Sequence, residues 1–174
     1  IGSELCRQVA RLSPKEIILV EQNEFNLYSI GLEVEEKFPS ICVTKLLGDV
    51  CDRAAIRFIF DRHKPEIIFH AAAYKHVPML QGQIRETVRN NTVGTMIVSE
   101  AAIENSARTG VLISTDKAVN PASMMGVSKR LSEMVVQLNN LENRTAFITV
   151  RFGNVLGSAG SVVPLFERQI QAGG

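Results

Sequence analysis

Glu16-Ile17-Ile18-Leu19-Val20-Glu21 is the stretch on which the fold turns, apolar at every interior position and closed by an acid. A strand that is apolar on both faces belongs inside a layered sheet, not on a surface. Before it lies an amphipathic helical pattern that starts around Gly2, with Leu5, Val9 and Leu12 at helical spacing. Four more apolar or β-branched runs follow, from Ile41 to Leu46, Glu66 to His70, Gly110 to Ser114 and Ala146 to Arg151. Helical patterns separate them: Phe25 to Phe38, a segment capped by Asp52 with Ala55, Ile56, Ile59 and Phe60 inward, Ile84 to Asn105, Met124 to Asn139, and Val162 to Ala172. Strands that alternate with helices in this way predict an α/β fold, a Rossmann-like doubly wound parallel sheet with helices on both faces. No repeat, low-complexity tract or linker divides the stretch, so residues 1–174 read as one domain.

Charge and composition narrow the function. Nineteen Lys and Arg balance eighteen Asp and Glu, which excludes a broad nucleic-acid or anionic-membrane surface. No apolar run approaches the roughly 20 residues that span a bilayer, so no membrane contact is expected from this segment. Cys6, Cys42 and Cys51 form no C-x-x-C pair, and their odd number favours reduced thiols in a cytoplasmic setting. His63 and His70 sit in no ligand pattern, so no metal is expected. In a Rossmann fold the strand before the first helix is central, and no strand pattern precedes Gly2. The expectation is therefore a domain incomplete at both ends, with its first strand and its C-terminal substrate lobe supplied by a longer chain, and a sheet interrupted at its centre.

Several residues suit a dinucleotide. Gly2, followed by Ser3, stands where the last glycine of a phosphate-binding turn would open the first helix. Glu21 ends the next strand about twenty residues on, where a carboxylate accepts hydrogen bonds from an adenosine ribose diol. Gln22, Asn23 and Glu24 bring no basic group for a 2′-phosphate, so NAD is favoured over NADP. Asp49 and Val50, after the following strand, suit an adenine edge. Ala71, Ala72 and Ala73 end a third strand with side chains small enough for a flat ligand to approach the backbone. Asn91-Thr92-Val93-Gly94 puts polar groups inside a long helix, where Asn91 can tie neighbouring strands.

Ser114-Thr115-Asp116-Lys117-Ala118-Val119-Asn120-Pro121 follows a buried strand, and Met125-Gly126-Val127-Ser128-Lys129 then opens a helix. Hydroxyls, an acid and an amine at a strand's carboxyl end occupy the crevice where open α/β sheets bind substrates. With Ile1-Gly2-Ser3-Glu4-Leu5, His70 through Pro78 and Arg151 through Ser158, this stretch resembles the extended short-chain dehydrogenase/reductases. More narrowly, it is similar to the bacterial nucleotide-sugar 4,6-dehydratases of polysaccharide biosynthesis that act on UDP-N-acetylglucosamine. The similarity runs along essentially the whole chain.

The resemblance implies a role for each matching residue. Lys129 matches the lysine of the family's Y-x-x-x-K element and would hold the nicotinamide ribose. Met125 occupies the tyrosine position and carries no ionisable proton, a feature of one membrane-associated branch in which helices precede the domain. Thr115 and Ser114 would hydrogen-bond the sugar O4, Lys75 would reach ribose or sugar hydroxyls, and Asn154 would bind substrate. Oxidation at C4 acidifies the C5 proton, and water then leaves across C5 and C6. Lys117 is assigned as the base and Asp116 as the acid, provided that their environments push their pKa values apart. The implied partner is a UDP-sugar, and the implied assembly a homo-oligomer in the cytoplasm or on the cytoplasmic side of the inner membrane. Two alternatives stand beside this reading, a nucleotide-sugar epimerase and a non-catalytic dinucleotide-binding regulator. Tyr74 lies in another loop from Met125, His76 reads as structural, and Ser158 and Ser161 read as loop formers beside Gly157 and Gly160.

Overall fold

The computed structural model describes residues 1–142, 144–155, 166 and 169–173. Gly157, Ser158, Gly160, Ser161 and most of the expected helix from Val162 to Ala172 lie outside these. In chain order the elements are α1 (Gly2–Ala10), β1 (Glu16–Glu21), α2 (Glu24–Lys37), β2 (Cys42–Leu47), α3 (Arg53–His63), β3 (Ile67–His70), α4 (Val77–Gln81), α5 (Ile84–Val88), α6 (Gly94–Glu104), β4 (Thr109–Thr115), α7 (Met124–Asn139) and β5 (Ala146–Phe152). The helices begin where side chains can take orphan N–H groups. Asn23, Asp52 and Ser123 each accept a hydrogen bond from the backbone N–H three residues on, opening α2, α3 and α7.

All strand pairs are parallel, and side-chain alternation along β1 shows the double winding. Ile17 and Leu19 pack with Ala10, Leu27, Ile30 and Val34 of α1 and α2. Ile18 and Val20 instead meet a second core built on Ile56, Ile59 and Phe60 of α3 and Ile97, Val98, Ala101 and Ala102 of α6. One strand therefore serves two layers of helix. β1 pairs with β2, and separately β3 pairs with β4 and β4 with β5. No ladder joins β1 to β3 among the described residues, so the sheet is in two pieces. Ile18, Val20, Ile68 and Phe147 pack against the same core cluster, which bridges the two pieces.

Three expectations change. Leu12 lies beyond the end of α1 and is 81% exposed, because the helix closes at Ala10 and hands its apolar face to Ala10 instead. The strands are not buried on both faces throughout. Phe69, Ile148 and Val150 are each 40% exposed or more, and the ladder places Phe69 beside Val111 and Ile148 on one face of the three-stranded piece. The helix expected from Ile84 to Asn105 is interrupted by a π-helical turn at Arg89–Val93. The wider turn buries the adjacent Asn90 and Asn91 together, where an ordinary helix would splay neighbours by about 100°.

That turn anchors the loop after β3. Asn91 Oδ1 accepts the Tyr74 N–H at 2.8 Å, and Asn91 Nδ2 donates to the Tyr74 carbonyl at 3.1 Å and to Ser128 Oγ at 3.0 Å. The expected tie through Asn91 is thus between the β3 loop and α7. Behind it, Thr95 Oγ1 gives its proton to the Asn91 carbonyl at 2.6 Å, so the contact between His70 Nε2 and Thr95 Oγ1 at 3.0 Å is donated by the imidazole. Burial, with the Lys129 charge nearby, pushes the His70 pKa down to about 3, so the ring is neutral and structural.

Candidate cofactor and substrate site

The carboxyl ends of the strands open on two adjoining clefts that share Ala71, Ala73 and Tyr74. The smaller, about 180 Å³, is lined by Glu21 and Gln22 after β1, Gly48, Asp49 and Val50 after β2, Ala71 to Tyr74 after β3, and Asn90. The larger, about 420 Å³, takes Gly2 at the start of α1, Lys75 and His76, Ser114, Thr115 and Lys117 at β4, Met125 and Lys129 of α7, and Gly153 and Asn154 after β5. Nearly every residue singled out above is gathered here. Ser3 on α1 and Asp116 after β4 are exposed, and neither lines a cleft.

In the smaller cleft the acids are already oriented. Glu21 Oε1 accepts the Asn23 N–H at 2.9 Å, which turns the carboxylate toward the β1 mouth. Asp49 takes the Cys51 N–H on Oδ1 and Arg89 Nη2 on Oδ2, both at 2.9 Å. Partial burial would raise the Asp49 pKa, but the Cys51 N–H and Arg89 outweigh it and hold the carboxyl ionised. Arg89 lies 40 residues away in sequence and could not be connected with Asp49 from spacing.

In the larger cleft Lys129 is 5% exposed and makes no hydrogen bond to the chain among the described residues. Desolvation lowers its pKa to about 8, opposed by the charge of Glu133. A buried ammonium with spare donors, beside small residues and the start of α1, fits an anionic, hydroxyl-bearing ligand such as a dinucleotide. Met125 is buried and contributes only a thioether at the cleft wall.

Thr115, Asp116, Lys117 and Asn154 form one hydrogen-bonded chain. Thr115 Oγ1 donates to Asp116 Oδ1 at 2.9 Å, Lys117 Nζ donates to the same oxygen at 3.0 Å, and Lys117 Nζ also reaches Asn154 Oδ1 at 3.4 Å. The Lys117 contact first, and then Thr115, holds the Asp116 pKa below its usual value. The resting site therefore presents Asp116 as a carboxylate, not as the ready acid of the sequence reading. Ser114 is also placed differently. It is 4% exposed and donates to Glu133 at 2.6 Å, so its proton is not offered to a sugar.

Close packing explains the glycine at the third position of α7. A Cβ on Gly126 would lie 2.3 Å from the Lys117 carbonyl oxygen and 3.1 Å from Pro121 Cβ. The helix can approach the Asp116-Lys117 turn only without a side chain there. Gly126→Ala is expected to push that turn away, costing roughly 1–3 kcal/mol in the intact protein and lowering turnover far more than cofactor affinity. Denaturation and dinucleotide titration of the variant check this; unchanged stability and turnover would refute the contact.

A family model described as polysaccharide biosynthesis protein matches residues 1–174. The chain belongs to that family. It is 47% identical over 176 residues to a capsular polysaccharide biosynthesis protein, CapD of Staphylococcus aureus, covering all of this chain and 29% of that protein. It is 35% identical over 163 residues to a Campylobacter jejuni UDP-N-acetylglucosamine 4,6-dehydratase (inverting), covering 92% of this chain and 47% of the enzyme. Among solved structures, DesIV of Streptomyces venezuelae, a dTDP-glucose 4,6-dehydratase with NAD and TYD bound, superposes with a TM-score of 0.79 at 20% identity, over 99% of this chain and 59% of DesIV. That likeness confirms the Rossmann-like fold of the polysaccharide biosynthesis family member described here. The chain thus spans less than two thirds of the length of each of these relatives.

Proposed function

We propose that the intact protein is a nucleotide-sugar 4,6-dehydratase acting on UDP-N-acetylglucosamine with tightly held NAD, and that residues 1–174 form the dinucleotide-binding part of it. The observation that carries this reading is the Thr115-Asp116-Lys117-Asn154 chain, of which Thr115, Lys117 and Asn154 line the cleft with Lys129, and which supplies groups to move protons at C5 and O6. A C4 epimerase needs no such acid and base, and a non-catalytic dinucleotide binder needs neither. Glu21, with no basic neighbour through Glu24, supports NAD over NADP. The interrupted sheet supports a further strand of the same protein between β1 and β3, since unpaired central edges are costly to leave open. Leu131, Met134, Leu138 and Leu141 form an exposed stripe along and just beyond α7, which supports self-association. Among the described residues no helix is long and apolar enough to cross a membrane, and the proposed setting is the cytoplasmic side.

A dinucleotide held by Glu21, the Ala71-Ala72-Ala73 loop and Lys129 would supply reversible hydride acceptance, from C4 and back to C6. The chain's own groups handle the protons. The O4 proton passes to Thr115 Oγ1 as Thr115 gives its own proton to Asp116, a route open because Asp116 rests as a carboxylate. This replaces the missing tyrosine at position 125. Asp116, now protonated, is the acid that releases the C6 hydroxyl as water, while Lys117, having released one proton to solvent once the Asp116 charge no longer pairs it, takes the C5 proton. Lys117 finally returns a proton to C5 and regains from solvent the proton it gave up before the elimination, restoring the Asp116 carboxylate and its ion pair with Lys117. The balance closes with one water lost.

Substrate deuterated at C4 tests the internal hydride return. The label is expected at C6 of the product, retained in the same molecule. Its loss to solvent, or its reappearance at C4 of an epimer, would reject the dehydratase reading.

A further inference from the structure

We infer that Glu133 is a positioning residue for this site, one buried carboxylate that locks the mouths of β4 and β5 to α7 and holds a negative charge one helical turn from Lys129. The inference rests on the proposed function only for the roles of the residues being positioned. Glu133 has no side-chain exposure, yet it accepts four hydrogen bonds. Ser114 Oγ reaches Oε1 at 2.6 Å from the residue before Thr115. Arg151 grips both oxygens, Nε at 2.8 Å and Nη2 at 2.6 Å, from just before Phe152, Gly153 and Asn154. Arg130 Nη1 adds a bond at 3.0 Å from α7 itself.

Each bond comes from an element that carries a reacting group. β4 leads into Thr115, Asp116 and Lys117, β5 leads into Asn154, and α7 carries Lys129 and Met125. Burial would raise the Glu133 pKa, but Arg151, Ser114 and Arg130 hold it down at about 2, so the charge is present at any working pH. A lone buried carboxylate is costly, and three donors on three elements are what make it tolerable.

The same charge acts on Lys129. Desolvation favours the neutral amine there, and Glu133 is the charge that opposes it. The other titratable groups around Lys129 do not take that role. His70 of β3 is neutral, Lys75, His76 and Lys117 line the shared cleft without negative charge, and Arg130 and Arg151 are engaged by Glu133. Asp116 is engaged by Lys117, and among the described residues Glu86 of α5 and Glu100 and Glu104 of α6, the helices packed on α7, are paired with Arg89, Arg53 and Arg57. Glu133 thereby sets both where Lys129 stands and how long it stays charged as pH rises.

The test uses the full-length protein and needs no cofactor. The pH dependence of Lys129 acetylation by acetic anhydride, read by mass spectrometry with exposed Lys37 as internal control, reports the ammonium's titration. Wild type is expected to titrate near pH 8. Glu133→Gln should move that midpoint down by roughly half a unit or more, a change that loss of packing alone would not produce. Glu133→Asp keeps the charge but shortens its reach. Its midpoint should stay near wild type while kcat for dehydration falls about tenfold and KM holds, because Ser114 and Arg151 are no longer gripped together. An unmoved midpoint in Glu133→Gln overturns the inference. Should that variant fail to fold, a wild-type kcat in Glu133→Asp overturns it instead. A protein that titrates as expected but dehydrates no sugar would sink the proposed function and leave the Glu133 coupling standing.

Discussion

Lys117→Ala in the intact enzyme is expected to lower formation of dehydrated sugar by about 10²–10⁴-fold, the range for losing a positioned general base. The side chain is 39% exposed, Asp116 is more exposed still and Asn154 lines the cleft, so the fold should tolerate the change. Binding of dinucleotide should stay within about twofold, because Lys129 and the alanine loop are untouched. The informative part is where the reaction stops. Oxidation at C4 needs Thr115 and Asp116 but not Lys117, so substrate added to the variant should leave a keto sugar and a persistent near-ultraviolet absorbance of reduced nicotinamide. Wild-type turnover in this variant would remove Lys117 from the chemistry. Loss of the absorbance together with turnover would place Lys117 in the first step instead of the second.

The largest structural effect is expected at Asn91. Replacing it with leucine keeps the branched shape but strips the Tyr74 N–H, the Tyr74 carbonyl, Ser128 and the Asn90 amide of their shared partner in a fully buried position. Four lost bonds with buried groups left unpaired should cost about 3 kcal/mol or more. For a domain of this size that lowers Tm by roughly 6–12 °C. Cofactor affinity should fall with it, since Tyr74 belongs to the loop that walls both clefts and is held to α7 through Asn91. A variant within about 2 °C of wild type would show that water or rearranged side chains replace the network.

Much of this architecture was legible because it is written in local pattern. The apolar runs at β1, β3 and β4, the Asp52 cap and the carboxyl-end clusters are all short-range signals, and the sheet carries them to one rim. The π turn was not legible, since inserting a residue into a helical turn leaves the apolar spacing on either side intact. Glu133 was hidden for a different reason. In sequence it is an acid on a helix rich in polar residues, and only the parallel register of β4 with β5 brings Ser114 opposite Arg151, where both meet it. Ser114 misled for the same cause, because a hydroxyl at a strand end looks available until its buried partner is known. The ionised state of Asp116 follows from a lysine next to it in sequence, yet whether the two side chains touch is decided by the turn. Leu12 kept the helical period but fell past the chain's exit from α1.

The reading of Met125 depends on these contacts. A thioether cannot take a proton from O4, so the site must move it otherwise, and the Thr115-Asp116 hydrogen bond offers the path. Asp116 then acts first as acceptor and later as donor, which reconciles its lowered pKa with a role as acid.

The central claim is decided most directly by incubating the full-length protein with UDP-N-acetylglucosamine in heavy water and weighing the product. Dehydration predicts a nucleotide sugar lighter by one water, with one deuterium from solvent at C5. A product of unchanged mass with inverted C4, or no product from a protein that binds the dinucleotide, would contradict it.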